Sequence, residues 1–194
     1  MRPDLLFLVL MAVLAVGSCV RMSAAIDDPF PAAPRSISLS SPAFAEGQPI
    51  PKKFAGYGDD ISPPLAWLGV PQGARSLAFI CEDPDAPMGT FCHWIVLDLP
   101  PTTAGLPEDL PKQPALDVGE WKQQQPPPRQ GTNDFGRPGY GGPKPPSGTH
   151  RYVFRIFALD ATPTVGPKAD RKAVLRALEG HVIAQGRLIG TYTR

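Results

Sequence analysis

Two carboxylates and two histidines sit in proline- and glycine-punctuated stretches of this chain. Asp83-Pro84-Asp85-Ala86-Pro87 is followed by Phe91-Cys92-His93-Trp94, then by Tyr140-Gly141-Gly142-Pro143 and Gly148-Thr149-His150-Arg151-Tyr152. Each aspartate stands next to a proline, which stiffens the turn and fixes the carboxylate as a hydrogen-bond acceptor able to hold a histidine in one tautomer. Successive glycines let backbone N–H groups converge into a nest for phosphate or carboxylate. Together these residues suit a small anion pocket. A hydrolytic reading uses a histidine as base and the glycine turn as oxyanion site, but it lacks a nucleophile. Cys92 adjoins His93, and neighbours along a strand face opposite ways. A metal set of Asp83, Asp85, His93 and His150 lacks close-spaced ligand pairs and is not favoured; no metal or other cofactor is expected. His181, without such neighbours, reads as structural.

The elements that must position these residues are mainly strands. Residues 76–81 (SLAFIC), 93–99 (HWIVLDL) and 151–159 (RYVFRIFAL) are short, β-branched, aromatic and bounded by turns. On the last, Tyr152, Phe154 and Ile156 share one face, and Val153, Arg155 and Phe157 the other. Residues 168–179 carry Val174, Leu175 and Leu178 at helical spacing, with Gly180 placed to end the helix. Residues 181–185 read as a further helical turn before a terminal strand over 188–192. Without βαβ alternation, this predicts a mainly β protein, an antiparallel β-sandwich with one or two short C-terminal helices. Residues 100–128 are a long irregular stretch, either functional or held down by packing.

The chain has 194 residues, 42% of them hydrophobic, enough for one core, and its 26 prolines favour turns over long helices. Removing Arg2, Arg21 and Asp4 with residues 1–25 takes 19 basic and 18 acidic residues to 17 of each. A neutral domain without a basic block has no footprint for nucleic acid or an anionic membrane. Residues 5–16 are an unbroken apolar run, short for a bilayer span and right for a signal peptide. Two exits fit: Val16-Gly17-Ser18-Cys19 resembles a lipobox that would lipidate Cys19, and Ser23-Ala24-Ala25 an ordinary cleavage site. Residues 26–35 then read as a flexible linker and 36–194 as the domain. Cys81 and Cys92 fit either two buried thiols or a cross-strand disulfide.

Seven segments carry a family resemblance: Asp60-Ile61-Ser62-Pro63-Pro64-Leu65-Ala66-Trp67, Asp83-Pro84-Asp85-Ala86-Pro87, His93-Trp94, Gly131-Thr132-Asn133-Asp134, Tyr140-Gly141-Gly142-Pro143, Pro145-Pro146 and Gly148-Thr149-His150-Arg151-Tyr152. Over residues 36–192 the chain resembles the phosphatidylethanolamine-binding protein family, in the bacterial YbhB/YbcL branch often labelled Raf kinase inhibitor-like. The resemblance implies a β-sandwich whose small pocket binds phosphate, acetate or phospho-headgroup anions. By position that pocket would use Asp83, His93, Gly141, Gly142, Pro143, His150 and Tyr152, with Ser62, Asp85 and Trp94 supporting it. Where the branch has Phe-Trp-His-Trp, this chain has Phe91-Cys92-His93-Trp94, a change expected to widen the cavity or place a thiol near it.

The expectation is therefore a non-catalytic, exported protein of the periplasm or cell envelope that binds a small anion or phosphorylated headgroup. Its only membrane contact would be a lipid anchor at Cys19. The alternative is an envelope interaction or inhibitor protein that grips a phosphorylated or acidic segment of a protein partner. A hydrolase ranks third.

Overall fold

The computed structural model describes residues 25–194; residues 1–24 of the expected leader, Cys19 included, lie outside the described residues. The strands are β1 (Ser38–Ser40), β2 (Leu65–Leu68), β3 (Ser76–Asp83), β4 (Phe91–Leu99), β5 (Gly105–Leu106), β6 (Arg129–Gln130), β7 (Thr149–Leu159) and β8 (Val182–Thr193), with one α-helix, α1 (Arg171–Leu178). They form two antiparallel sheets, β1-β2-β5 and β6-β4-β3-β7-β8, in an open mainly β fold.

The near-continuous apolar character of β3, β4 and β7 has a simple cause: the larger sheet is covered on both faces. On one side Leu77, Phe79, Trp94, Val96, Phe154 and Ile156 share a core with Leu39, Leu65 and Trp67 of the smaller sheet. On the other, Ala78, Ile80, Ile95, Leu97 and Phe157 pack under Val174 and Leu178 of α1. Each of those two helix side chains contributes about 1.5–3 kcal/mol by leaving water.

Helix α1 starts later than its apolar pattern alone suggests. The Asp170 carboxylate accepts the Ala173 N–H at 2.8 Å, so it caps the helix and leaves 168–170 outside. Gly180, at φ +79°, turns the chain away after the helix. The expected helical turn at 181–185 is instead the start of β8, pairing Val182 with Leu159 and Gln185 with Phe157. The long β7 would otherwise expose a row of unpaired backbone groups, and pairing them outweighs local propensity.

Two irregular stretches are tied down. Residues 27–33, part of the expected flexible linker, lie against the sheet. Phe30 meets Phe157 edge-on at 5.3 Å, and Gln185 donates its side-chain amide to the carbonyls of Phe30 and Ala33. Arg155, paired with the buried Glu82, also donates to the Asp27 carbonyl. Within 100–128, Leu106, Leu110, Leu116 and Trp121 enter the inter-sheet core, so packing holds that stretch.

Candidate functional site

At one end of the larger sheet, the last residue of β3, the first turns of β4 and the start of β7 meet around a cleft of about 220 Å³. Asp83, Phe91, His93, Phe135, Lys144 and His150 line it, with Pro87, Pro145 and Pro146 at its walls. A larger cleft of about 540 Å³, lined by residues 107–111 and 118–121, holds no histidine, lysine or arginine. The larger one carries only the carboxylates of Glu108, Asp109 and Glu120, whereas the smaller brings two histidines and a lysine together with Asp83.

Asp83 organises the cleft. Its Oδ2 lies 2.7 Å from His150 Nδ1, and its Oδ1 accepts the Asp85 N–H at 2.9 Å. Because a carboxylate accepts, His150 carries a proton on Nδ1, and its Nε2 has no partner among the described residues. Asp85 faces elsewhere. It accepts the Arg151 N–H at 2.9 Å and the Arg151 guanidinium at 2.8 and 2.6 Å, pinning the 84–90 turn to β7. Those Arg151 hydrogen bonds, against the effect of burial, hold the Asp85 carboxyl below 3.8.

His93 sits at a β-bulge. Cys81 pairs with Trp94 and Glu82 with Cys92, so β4 has one more residue here than β3, and that residue is His93. The bulge frees its backbone and ring to engage the 133–142 loop. Gly141 donates its N–H to the His93 carbonyl at 2.9 Å, and the His93 ring Nδ1 lies 2.6 Å from the Gly141 carbonyl. A carbonyl only accepts, so Nδ1 is protonated and Nε2 is the uncommitted ring nitrogen. Burial lowers the His93 pKa, although the Gly141 carbonyl and the charges of Asp83, Asp134 and Asp60 pull the other way. The ring is therefore neutral at pH 7. Phe91 and Phe135 complete an aromatic corner with it, at ring separations of 5.1 and 5.4 Å from His93 and 4.8 Å from each other.

Several expected site residues have other roles. The Gly141-Gly142-Pro143 turn is not an anion nest. The Gly141 N–H is bound to His93, the Gly142 N–H is bound to Asp60 Oδ1 at 2.6 Å, and Pro143 has none. The glycines are needed for close approach. A Cβ at Gly141 would lie 2.4 Å from the Phe135 ring, and one at Gly142 would lie 2.3 Å from the Phe54 carbonyl. Tyr152 does not line the cleft. It lies beneath His93, rings 5.1 Å apart, fully buried. Its hydroxyl lies close to the Asp83 carboxylate and the Lys144 backbone, and burial together with the Asp83 charge drives its pKa far up, so it stays neutral. Ser62 is remote, accepting the Leu110 N–H at 2.9 Å beside the larger cleft. Trp94 belongs to the inter-sheet core, where its indole donates to Gln130 at 2.6 Å.

Cys92 neither widens the cleft nor puts a thiol in it. Its side chain is fully buried in the core under α1, while Cys81 lies in the core between the sheets, and both are free thiols. Burial pushes both thiols up. Among the described residues no group of three or more His, Cys, Asp or Glu side chains is placed to hold a metal ion.

Sequence reasoning missed Phe91, Phe135, Lys144 and Asp60. Phe91 was accessible from alternation, since it stands two residues before His93. Phe135 and Lys144 enter through loops whose paths no local pattern specifies. Asn133 shapes the first by donating to the Gly139 carbonyl at 2.8 Å and accepting the Phe135 N–H at 3.0 Å.

An open pair of antiparallel sheets with a small histidine–aspartate cleft at one end defines the class. Residues 40–193 match the family model described as phosphatidylethanolamine-binding protein. A UPF0098 protein of Methanothermobacter thermautotrophicus is 45% identical over 158 residues, 81% of this chain and 99% of the relative. A UPF0098 protein of Aquifex aeolicus is 44% identical over 161 residues, 81% of this chain and 89% of the relative. Among solved structures, a phosphatidylethanolamine-binding protein homolog from Chlamydia trachomatis superposes with a TM-score of 0.71 at 38% identity, covering 82% of this chain and 99% of that one. Escherichia coli YbcL, described as a member of the mammalian family, gives 0.69 at 29% identity with the same coverage. The chain belongs to the phosphatidylethanolamine-binding protein family.

Proposed function

We propose that the cleft binds a small anion or the phosphorylated end of a headgroup, without turning it over. The observation that carries this reading is the Asp83–His150 pair. One nitrogen of the His150 ring is fixed at 2.7 Å from a buried carboxylate, and the other is left for a ligand in a cleft that the exposed Lys144 side chain also lines, its ammonium 5.9 Å from the Tyr57 ring centroid. When the ring carries its second proton, Nε2–H and Lys144 supply two charge-assisted donors to anionic oxygens. The expected glycine N–H contacts are not part of this model. The family description names a headgroup that carries a phosphate, the group this cleft would recognise, although in the intact lipid that phosphate is a diester.

The absence of turnover is supported by the placement of Cys92, whose thiol lies on the helix side of the sheet from His93. Export to the envelope is part of the proposal and rests on the apolar run of residues 5–16. Calorimetric titration with phosphate and phosphoethanolamine tests the binding reading. Wild type should bind at least one of them, and His150→Ala should lose that binding; equal affinity in both proteins would remove the model.

The second reading places the same contacts on a phosphorylated or acidic segment of a protein partner. The cleft of about 540 Å³ beside Trp121, lined by Glu108, Asp109 and Glu120, gives this reading a second surface on the long 100–128 stretch, suited to a part of the partner away from its acidic segment. Glu120→Lys, at an exposed position of that surface, should then weaken partner capture from envelope extracts while leaving phosphate affinity intact.

A further inference from the structure

The peptide linking Gly141 to Gly142 is gripped at both ends. Its carbonyl oxygen accepts the Nδ1–H of His93 at 2.6 Å, and its N–H donates to the Asp60 carboxylate at 2.6 Å. Asp60 lies outside the cleft, half-buried, and is held by Lys112 at 2.5 Å and Arg137 at 3.1 Å. An anion on the N–H side of a peptide polarises the carbonyl on the other side, which strengthens the hydrogen bond that carbonyl accepts. His93 Nδ1 is thereby kept as the donor. Nε2, the only ring nitrogen His93 has left for the cleft, is then an acceptor.

From this geometry we infer that His93 selects ligands that carry a proton, and that Asp60 is the positioning residue that sets it to do so through the Gly141–Gly142 peptide. An oxyanion seated against His150 and Lys144 must offer His93 Nε2 a hydroxyl. Hydrogenphosphate and a singly protonated phosphomonoester have one. Sulfate and a phosphodiester have none, and they would turn a bare oxygen towards the lone pair of Nε2. A site built to accept a ligand proton rejects the analogue that lacks it, because its own acceptor is left unpaired. The ligand is therefore inorganic phosphate or a monoester rather than the diester of an intact phospholipid. Burial supports the acceptor role by disfavouring a second proton on His93. The Asp60 carboxyl stays ionised: burial alone would raise it, but Lys112, the Gly142 N–H and Arg137 together lower it.

The selectivity rests on the anion reading above, whereas the tautomer does not, and two measurements separate them. Long-range ¹H–¹⁵N spectra of the ligand-free wild type should show His93 protonated at Nδ1 and bare at Nε2; the reverse assignment overturns the inference. Asp60→Asn keeps an acceptor for the Gly142 N–H but removes the charge. It should raise the Nε2–H share of His93 roughly two- to threefold, and an unchanged histidine spectrum would reduce Asp60 to a structural role. If that variant does not fold, the wild-type assignment and the anion comparison still decide. In that comparison phosphate should bind wild type about tenfold more tightly than sulfate, the effect of one hydrogen bond made or missed. Equal affinities would overturn the selectivity while leaving anion binding in place, and no binding of either anion would overturn both.

Discussion

His150 Nδ1 lies 2.7 Å from Asp83 Oδ2, while the other oxygen of the same carboxylate holds the Asp85 N–H at 2.9 Å. One buried side chain thus fixes a ring from β7 and the turn that leaves β3. The proline-pinned turn matters because it presents Asp83 to His150, and Asp85 secures that turn through Arg151.

Asp83→Asn preserves the shape of the side chain but removes the charge that faces His150. Anion affinity should fall about tenfold, since a hydrogen bond to a charged group contributes about 1.5–3 kcal/mol. Asp83→Ala should in addition lower stability by about 1–3 kcal/mol, because it leaves the His150 Nδ1–H buried without an acceptor. Urea denaturation and calorimetry of the two variants separate these effects.

The glycine turn gives an ordered pair of stabilities. At Gly141 an added Cβ meets the Phe135 ring, a half-exposed side chain that can swing aside. At Gly142 it meets the backbone of residues 54–56, which cannot. Gly142→Ala should therefore destabilise more than Gly141→Ala, with the latter near the ~1–3 kcal/mol typical of overpacking. Equal denaturation midpoints would count against this assignment of the two contacts.

Acid should weaken the fold in two windows. His93 titrates lower in the folded protein than its ordinary 6.5, so the unfolded chain takes up its proton first. Stability is complete above pH 6.5 on this account and declines as pH falls below it towards the folded value. Asp28, Asp60 and Asp85 are held below 3.8 when folded, so their contribution is lost only as pH falls below 3.8. Urea midpoints between pH 8 and pH 2 should show both declines, and His93→Gln should remove the upper one alone.

Cys81 and Cys92 occupy different cores and are fully shielded. Neither should react with a thiol reagent in the native state, and both should react on unfolding. Cys92→Ala should leave phosphate affinity unchanged while costing stability through the cavity it creates. A changed affinity would return Cys92 to the cleft.

Much of the fold was legible because the larger sheet is buried on both faces, which wrote its strands as apolar runs. The start of α1 was misplaced because apolar spacing ignores the Asp170 cap. Residues 181–185 differ from the expected helical turn because their conformation is set by a partner strand over twenty residues away in sequence, pairing at Phe157 and Leu159. In the site, residue types were legible and hydrogen-bond partners were not. Asp83, His93 and His150 line the cleft. The glycine N–H groups face inward to His93 and Asp60 because a bulge in β4, invisible in local sequence, exposes the His93 carbonyl to Gly141.

The most direct test of the account is the structure of the protein crystallised with inorganic phosphate at a concentration that saturates it by calorimetry. The account places the phosphate in the cleft of about 220 Å³, with its oxygens in hydrogen-bond reach of His150 Nε2 and the Lys144 ammonium. Phosphate bound at the cleft beside Trp121, or a cleft at His150 without phosphate under those conditions, would contradict it.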